Sequence, residues 1–97
     1  MDVNRISEME SYLDECTAAT EALTAQLRRM DALSEDMGRL FRYYGSEAWY
    51  EDRDGPLPEG LKAGVLSEDL VYDAVTDLRD AAFQMLELAT DILKNRI

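Results

Sequence analysis

From Ile6 to Tyr44 apolar side chains return at alternating steps of three and four: Ile6, Met9, Leu13, Cys16, Leu23, Leu27, Met30, Met37, Phe41 and Tyr44, with Thr20 and Ser34 filling the gaps. A strand repeats its side chains every two residues and cannot keep such a rhythm, whereas a helix places all of these positions on one stripe. Tyr12, Ala19, Leu33 and Leu40 lie one position over and widen the stripe to the face of a bundle helix. Glu10, Asp14, Glu21, Arg28, Asp31, Glu35 and Arg42 keep the same period on the opposite side. The pattern predicts one helix over about residues 3–44, capped by Asp2 or Asn4, with Glu8 and Glu10 near its positive end. Ser34, Asp36 and Gly38 are weak helix formers. The stripe nevertheless stays in phase across them, so the reading is an unbroken rod of about 60 Å that stops at Gly45.

A second stripe begins after Ser67, the expected N-cap, with Glu68 and Asp69 in the first turn where negative charge is favourable. Leu70, Val71, Ala74, Val75, Leu78, Ala81, Ala82, Met85, Leu86, Leu88, Ala89, Ile92 and Leu93 form the apolar side of a helix over about residues 67–96, which ends in Lys94 and Arg96. The alanines would let another helix approach closely, with leucines and methionines of the first helix filling the remaining space. The expectation is an all-α fold in a single domain: a long antiparallel helical hairpin whose exposed apolar edges pair with a second copy into a four-helix bundle. A kinked first helix would instead close a monomeric three-helix bundle.

Between the two stripes, residues 45–66 hold the only Trp, both Pro and most of the Gly. A connector of about twenty residues is long for a helical hairpin, which predicts order or function there. Ser46 to Glu51 reads as a short capped helical turn, and Gly55, Pro56, Pro58 and Gly60 set turns. Trp49, Leu57, Leu61, Val65 and Leu66 are expected to pack back on Leu33, Met37, Leu40, Phe41 and Tyr44, with Asp52 pairing to Lys62 or Arg53.

The run Tyr-Tyr-Gly-Ser-Glu-Ala-Trp at 43–49, followed by Leu-Pro-Glu-Gly-Leu-Lys-Ala-Gly-Val-Leu-Ser-Glu-Asp at 57–69, resembles the bacterial family catalogued as domain of unknown function 4298. The resemblance extends over nearly the whole chain and rests most specifically on Tyr43, Tyr44, Ser46, Trp49, Asp52, Leu57, Pro58, Leu61, Lys62 and the stretch Gly64 to Asp69. The family has no assigned activity, so the resemblance implies an architecture and no chemistry. Tyr43, Tyr44, Trp49, Asp52, Leu57, Leu61, Lys62, Ser67, Glu68 and Asp69 are therefore the candidate interaction or connector-ordering residues.

Composition narrows the function classes. The net charge is −11, from 21 acidic and 10 basic residues with no His. Such a surface repels phosphate backbones and anionic lipids, so a protein partner, and a basic one, fits better than nucleic acid or membrane. A single Cys without His offers neither a zinc set nor an activated thiol, and Cys16 reads as core filler on the buried stripe. Placing Gly55 at the sixth position of a calcium loop puts Tyr50 first and Leu61 twelfth, where the loop needs Asp and Glu. No glycine spacing matches a phosphate loop or dinucleotide fingerprint. No secretory leader or apolar span is evident, and the reading is a cytoplasmic protein without cofactor. The leading expectation is a non-enzymatic helical interaction module that self-associates and presents its connector to a partner. The alternatives are an acidic decoy of nucleic acid and a small-ligand binder or enzyme built on the connector aromatics and carboxylates.

Overall fold

The computed structural model describes residues 1–95. Its order of elements is α1 (Val3–Tyr43), α2 (Glu47–Asp54), a single 3₁₀ turn at Gly64–Leu66 and α3 (Glu68–Leu93), with no strand among the described residues. The protein is all-α, and this is the order of a helical hairpin with a structured connector. Close contacts divide the chain into two compact units, Met1–Met37 and Gly38–Ile97.

The first unit is the greater part of α1. Asp2 caps it, its Oδ1 accepting from the Arg5 backbone N–H at 2.9 Å while its carbonyl accepts from Ile6. This satisfies donors that every helix start leaves unpaired. The helix runs without interruption through Ser34, Asp36 and Gly38. Ser34 turns its hydroxyl back onto the Asp31 carbonyl, which removes its competition for the backbone. Glu8 and Glu10 fall beyond the first turn, and Glu8 instead accepts the Tyr12 hydroxyl one turn on at 2.6 Å. No residue of α1 is fully buried, and Cys16 is exposed. Cys16, read from the sequence as core filler, lies on a stripe that nothing within this unit covers.

The second unit contains the end of α1, the connector and α3. Helix α1 stops at Tyr43, and Gly45 follows with φ +75°. That left-handed conformation costs a residue with a Cβ roughly 1–2 kcal/mol. Helix α2 then starts under Ser46, whose hydroxyl accepts from the Trp49 N–H at 3.3 Å. Gly60, at φ +80°, turns the chain after Pro58 and carries it to the 3₁₀ turn. Ser67 holds the N-cap position of α3 with extended backbone angles, but its side chain makes no cap hydrogen bond. Its backbone N–H closes the 3₁₀ turn onto Gly64 instead. Glu68 and Asp69 occupy the first turn of α3 as the dipole argument requires. At the far end Asn95 takes a left-handed φ of 57° and ends the helix, so Lys94 is its cap rather than a residue of its last turn. The expectation for Arg96 lies outside the described residues.

Only Trp49 (2 % accessible) and Val71 (4 %) are fully buried among the described residues. Leu57, Leu61 and Val65 were expected to pack inward and are instead exposed, while Leu40, Phe41, Tyr44 and Leu66 are half-buried. The connector is too short and too rich in Pro and Gly to place all five of its apolar groups on one inner face. The indole takes the available space.

Adding a Cβ at Gly45 meets no atom within 4 Å, so its replacement by Ala tests backbone conformation alone. Gly45→Ala is expected to lower unfolding stability by about 1 kcal/mol, with Gly45→Asn closer to the parent, as read by urea denaturation.

Candidate functional site

The residues singled out in the connector converge on the indole of Trp49. Its Nε1–H donates to the Val65 carbonyl at 2.9 Å, which ties α2 to the 3₁₀ turn. The Tyr44 ring stands edge-on to it with centroids 5.2 Å apart, and the Tyr50 ring does the same at 4.9 Å. Edge-to-face pairs of this kind add roughly 0.5–1.5 kcal/mol beyond the area they bury. The Arg53 guanidinium lies 5.2 Å from the Trp49 ring centre and 5.9 Å from that of Tyr50. Spacings of four and three along α2 place Arg53 over these rings, as they do for any neighbouring pair on a helix face.

Glu68 joins this cluster to α3. Its carboxylate pairs with Arg53 at 2.7 Å, and its backbone carbonyl accepts the Tyr44 hydroxyl at 2.9 Å. The end of α1, α2 and the start of α3 therefore meet at one acidic residue, which the sequence placed in the first turn of α3 and among the candidate connector-ordering residues. The ion pair is open to water and contributes little alone. Its value is geometric, because the cation that it holds also rests on the indole.

The Tyr43 hydroxyl donates to the Asp52 Oδ2 at 2.5 Å. The expected pairing of Asp52 with Lys62 or Arg53 is thus replaced by a phenol–carboxylate bond, and Lys62 forms no ion pair among the described residues. The bond to Asp52 holds the Tyr43 phenol above its ordinary pKa of 10.0, since ionisation would destroy the donor and set two negative charges together.

Two open grooves border the cluster. One, of about 330 Å³, is lined by Tyr43, Glu51, Asp52, Gly55, Pro56, Leu57, Leu61, Lys62, Ala63, Val65 and Leu66. The other, of about 420 Å³ and mostly apolar, lies among Leu40, Lys62, Gly64, Val65, Leu70, Val71 and Ala74. Of the ten candidate residues, Tyr44, Trp49 and Glu68 form the knot, and Tyr43 with Asp52 forms its neighbour. Leu57, Leu61 and Lys62 rim the grooves, while Ser67 and Asp69 serve only to start α3. Because Trp49 is buried, its ring offers no stacking platform for a ligand. No cluster of three metal-ligating side chains occurs among the described residues.

Sequence reasoning missed Val65 as an acceptor and Arg53 as the residue that joins two elements. It also missed Tyr72 and Phe83, which stand exposed on α3 beside its main apolar stripe. For Arg53 the signal was present in its spacing from Trp49 and Tyr50. No pattern announces a backbone carbonyl as the partner of an indole.

Trp49→Ala is expected to cost about 3–4 kcal/mol in denaturant unfolding. Trp49→Phe should cost less, about 1–2 kcal/mol, because an aromatic ring still fills most of the site and the main loss is the bond to the Val65 carbonyl. The raised Tyr43 pKa fixes the sign of a pH dependence. Its contribution is complete below the unfolded phenol pKa near 10 and is lost as pH rises through the higher folded value. Between roughly pH 9 and pH 11 the urea midpoint of the parent should therefore fall more steeply than that of Tyr43→Phe.

No curated protein and no solved structure matches the chain. A family model does match, over residues 6–88, which takes in α1 almost from its start, the whole connector with its indole knot and most of α3. The chain belongs to that family, described as a domain of unknown function (DUF4298).

Proposed function

We propose that the protein is a small non-enzymatic helical interaction module that self-associates through the apolar stripes of α1 and α3 and presents its connector to a protein partner. The supporting observation is the exposure of both stripes within their own units. No residue of α1 is buried, and Leu70, Met85, Leu86, Leu88 and Ile92 of α3 are all exposed. A lone helix in water is marginal however well patterned, because its stability comes mainly from packing of the apolar face. Covering each Leu or Met is worth roughly 1.5–3 kcal/mol, so a dozen such side chains amount to a strong drive towards association. Small alanines on the apolar side of α3 leave room for larger side chains of a neighbouring helix, which suits a four-helix bundle made of two copies. A homodimer in the cytoplasm is part of this reading. No described helix is long and apolar enough to cross a membrane.

The connector supplies the second half of the proposal. A knot of three aromatic rings, a bridging cation and a phenol–carboxylate bond makes a stiff scaffold, and stiff scaffolds bind with little loss of conformational freedom. The surface charge of −11 favours a basic partner over nucleic acid or anionic lipid.

Sedimentation equilibrium of the full chain is expected to give a dimer. Leu23→Glu in α1 or Met85→Glu in α3 should shift it to monomer and reduce helix content in circular dichroism. A parent chain that is strictly monomeric at all concentrations, with undiminished helicity, would contradict the proposal.

A further inference from the structure

The groove bounded by α2 and the turn-rich segment after it combines exposed aliphatic side chains, two carboxylates and one opposing cation. Leu57 and Leu61, 47 % and 56 % accessible, stand on a stretch whose backbone is restrained by Pro56 and Pro58. Glu51 and Asp52 line the same groove, opposed by the single cation Lys62. The nearest other cation in sequence, Arg53, is held by Glu68 and the aromatic rings.

We propose that this groove docks a basic linear segment of a partner protein, with one aliphatic side chain seated against Leu57 and Leu61 and an adjacent Lys or Arg against Glu51 and Asp52. The inference deepens the interaction-module reading and rests on it. A volume of about 330 Å³ suits one or two side chains rather than a folded surface. Charge chooses the kind of segment. Counting Glu51, Asp52 and Lys62, the lining carries a net charge of −1, and Asp54 and Glu59 are close by in the chain. An acidic or phosphorylated segment would be repelled, and a purely apolar one would leave these carboxylates unanswered. The Tyr43 hydroxyl occupies only one oxygen of Asp52, so acceptor capacity remains for a guanidinium or ammonium. Both carboxylates belong to α2, which the Ser46 cap and the buried Trp49 hold in place, so the acidic wall is set before any partner arrives.

The test is a selection of random nonapeptides displayed on phage against the full chain, followed by titration of the enriched synthetic peptides into ¹⁵N-labelled protein. Enriched sequences should place Lys or Arg within a few positions of Leu, Ile or Met, and the shifted amides should fall within residues 51–66. Glu51→Lys and Leu61→Ser should each weaken binding by about tenfold or more. Glu87→Lys, the same charge change on the polar side of α3, should alter it by less than about threefold, as expected of long-range charge alone. Circular dichroism of each variant checks that the fold is kept. The proposal is overturned if no peptide is enriched, if the enriched peptides lack a basic residue, or if their shifts map to another surface. Equal losses from Glu51→Lys and Glu87→Lys would also overturn it, since they would show attraction to overall charge only. Amide shifts of residues 51–66 that change with protein concentration in the absence of peptide would assign the groove to a second copy and end the partner assignment. None of these results bears on the sedimentation experiment, so the groove can fail while self-association stands.

Discussion

The indole of Trp49 and the carbonyl of Val65 are the contact around which the second unit is arranged. An indole left in water loses the gain from its large apolar area, and one buried without a hydrogen bond strands a polar N–H. The chain meets both demands at once. Ser46 starts a helix that delivers the ring, and Gly60 turns the backbone so that a carbonyl sits 2.9 Å from Nε1. Once the ring is fixed, Arg53 is fixed above it, and Arg53 in turn brings Glu68 and the start of α3 to the end of α1. The polar contacts are each small, but they share side chains, so the entropy lost in ordering one is not lost again for the next.

Beyond this knot the molecule is amphipathic surface. The two long helices carry apolar stripes that their own units do not bury, and a strongly negative opposite side. That negative charge opposes random aggregation. Exposed apolar faces of this extent are a liability for a chain with no partner, which is the physical reason for reading them as interfaces. Tyr72 and Phe83 extend the apolar surface of α3 past the stripe that period alone defines.

Much of the architecture could be read from residue spacing. The long helices follow from three-and-four periodicity, their ends from a cap at Asp2 or Asn4, from Gly45 and from the acidic turn after Ser67, and the ordered connector from its length and its Trp. Continuity through Gly38 was legible because the stripe never changed phase. The site was only partly legible. Trp49 could be placed inside because a lone large aromatic beside Pro and Gly has few other fates. Its partner could not, because Val65 contributes a main-chain oxygen, and any residue would supply one. Charge complementarity in sequence paired Asp52 with Lys62 or Arg53, but a helix places Arg53 on the aromatic side and leaves Asp52 to the phenol of Tyr43. Counting apolar groups also overstated the connector's core, since Leu57 and Leu61 face water once the indole has filled the interior.

Amide and indole hydrogen exchange followed by NMR tests the central contact most directly. If Trp49 is seated on Val65 as described, its Nε1–H should exchange more slowly than a free indole by orders of magnitude, together with the α2 backbone, and should show a cross-peak to the Val65 backbone. An indole proton that exchanges at the rate of an exposed tryptophan, in a chain whose long helices remain protected, would contradict the account.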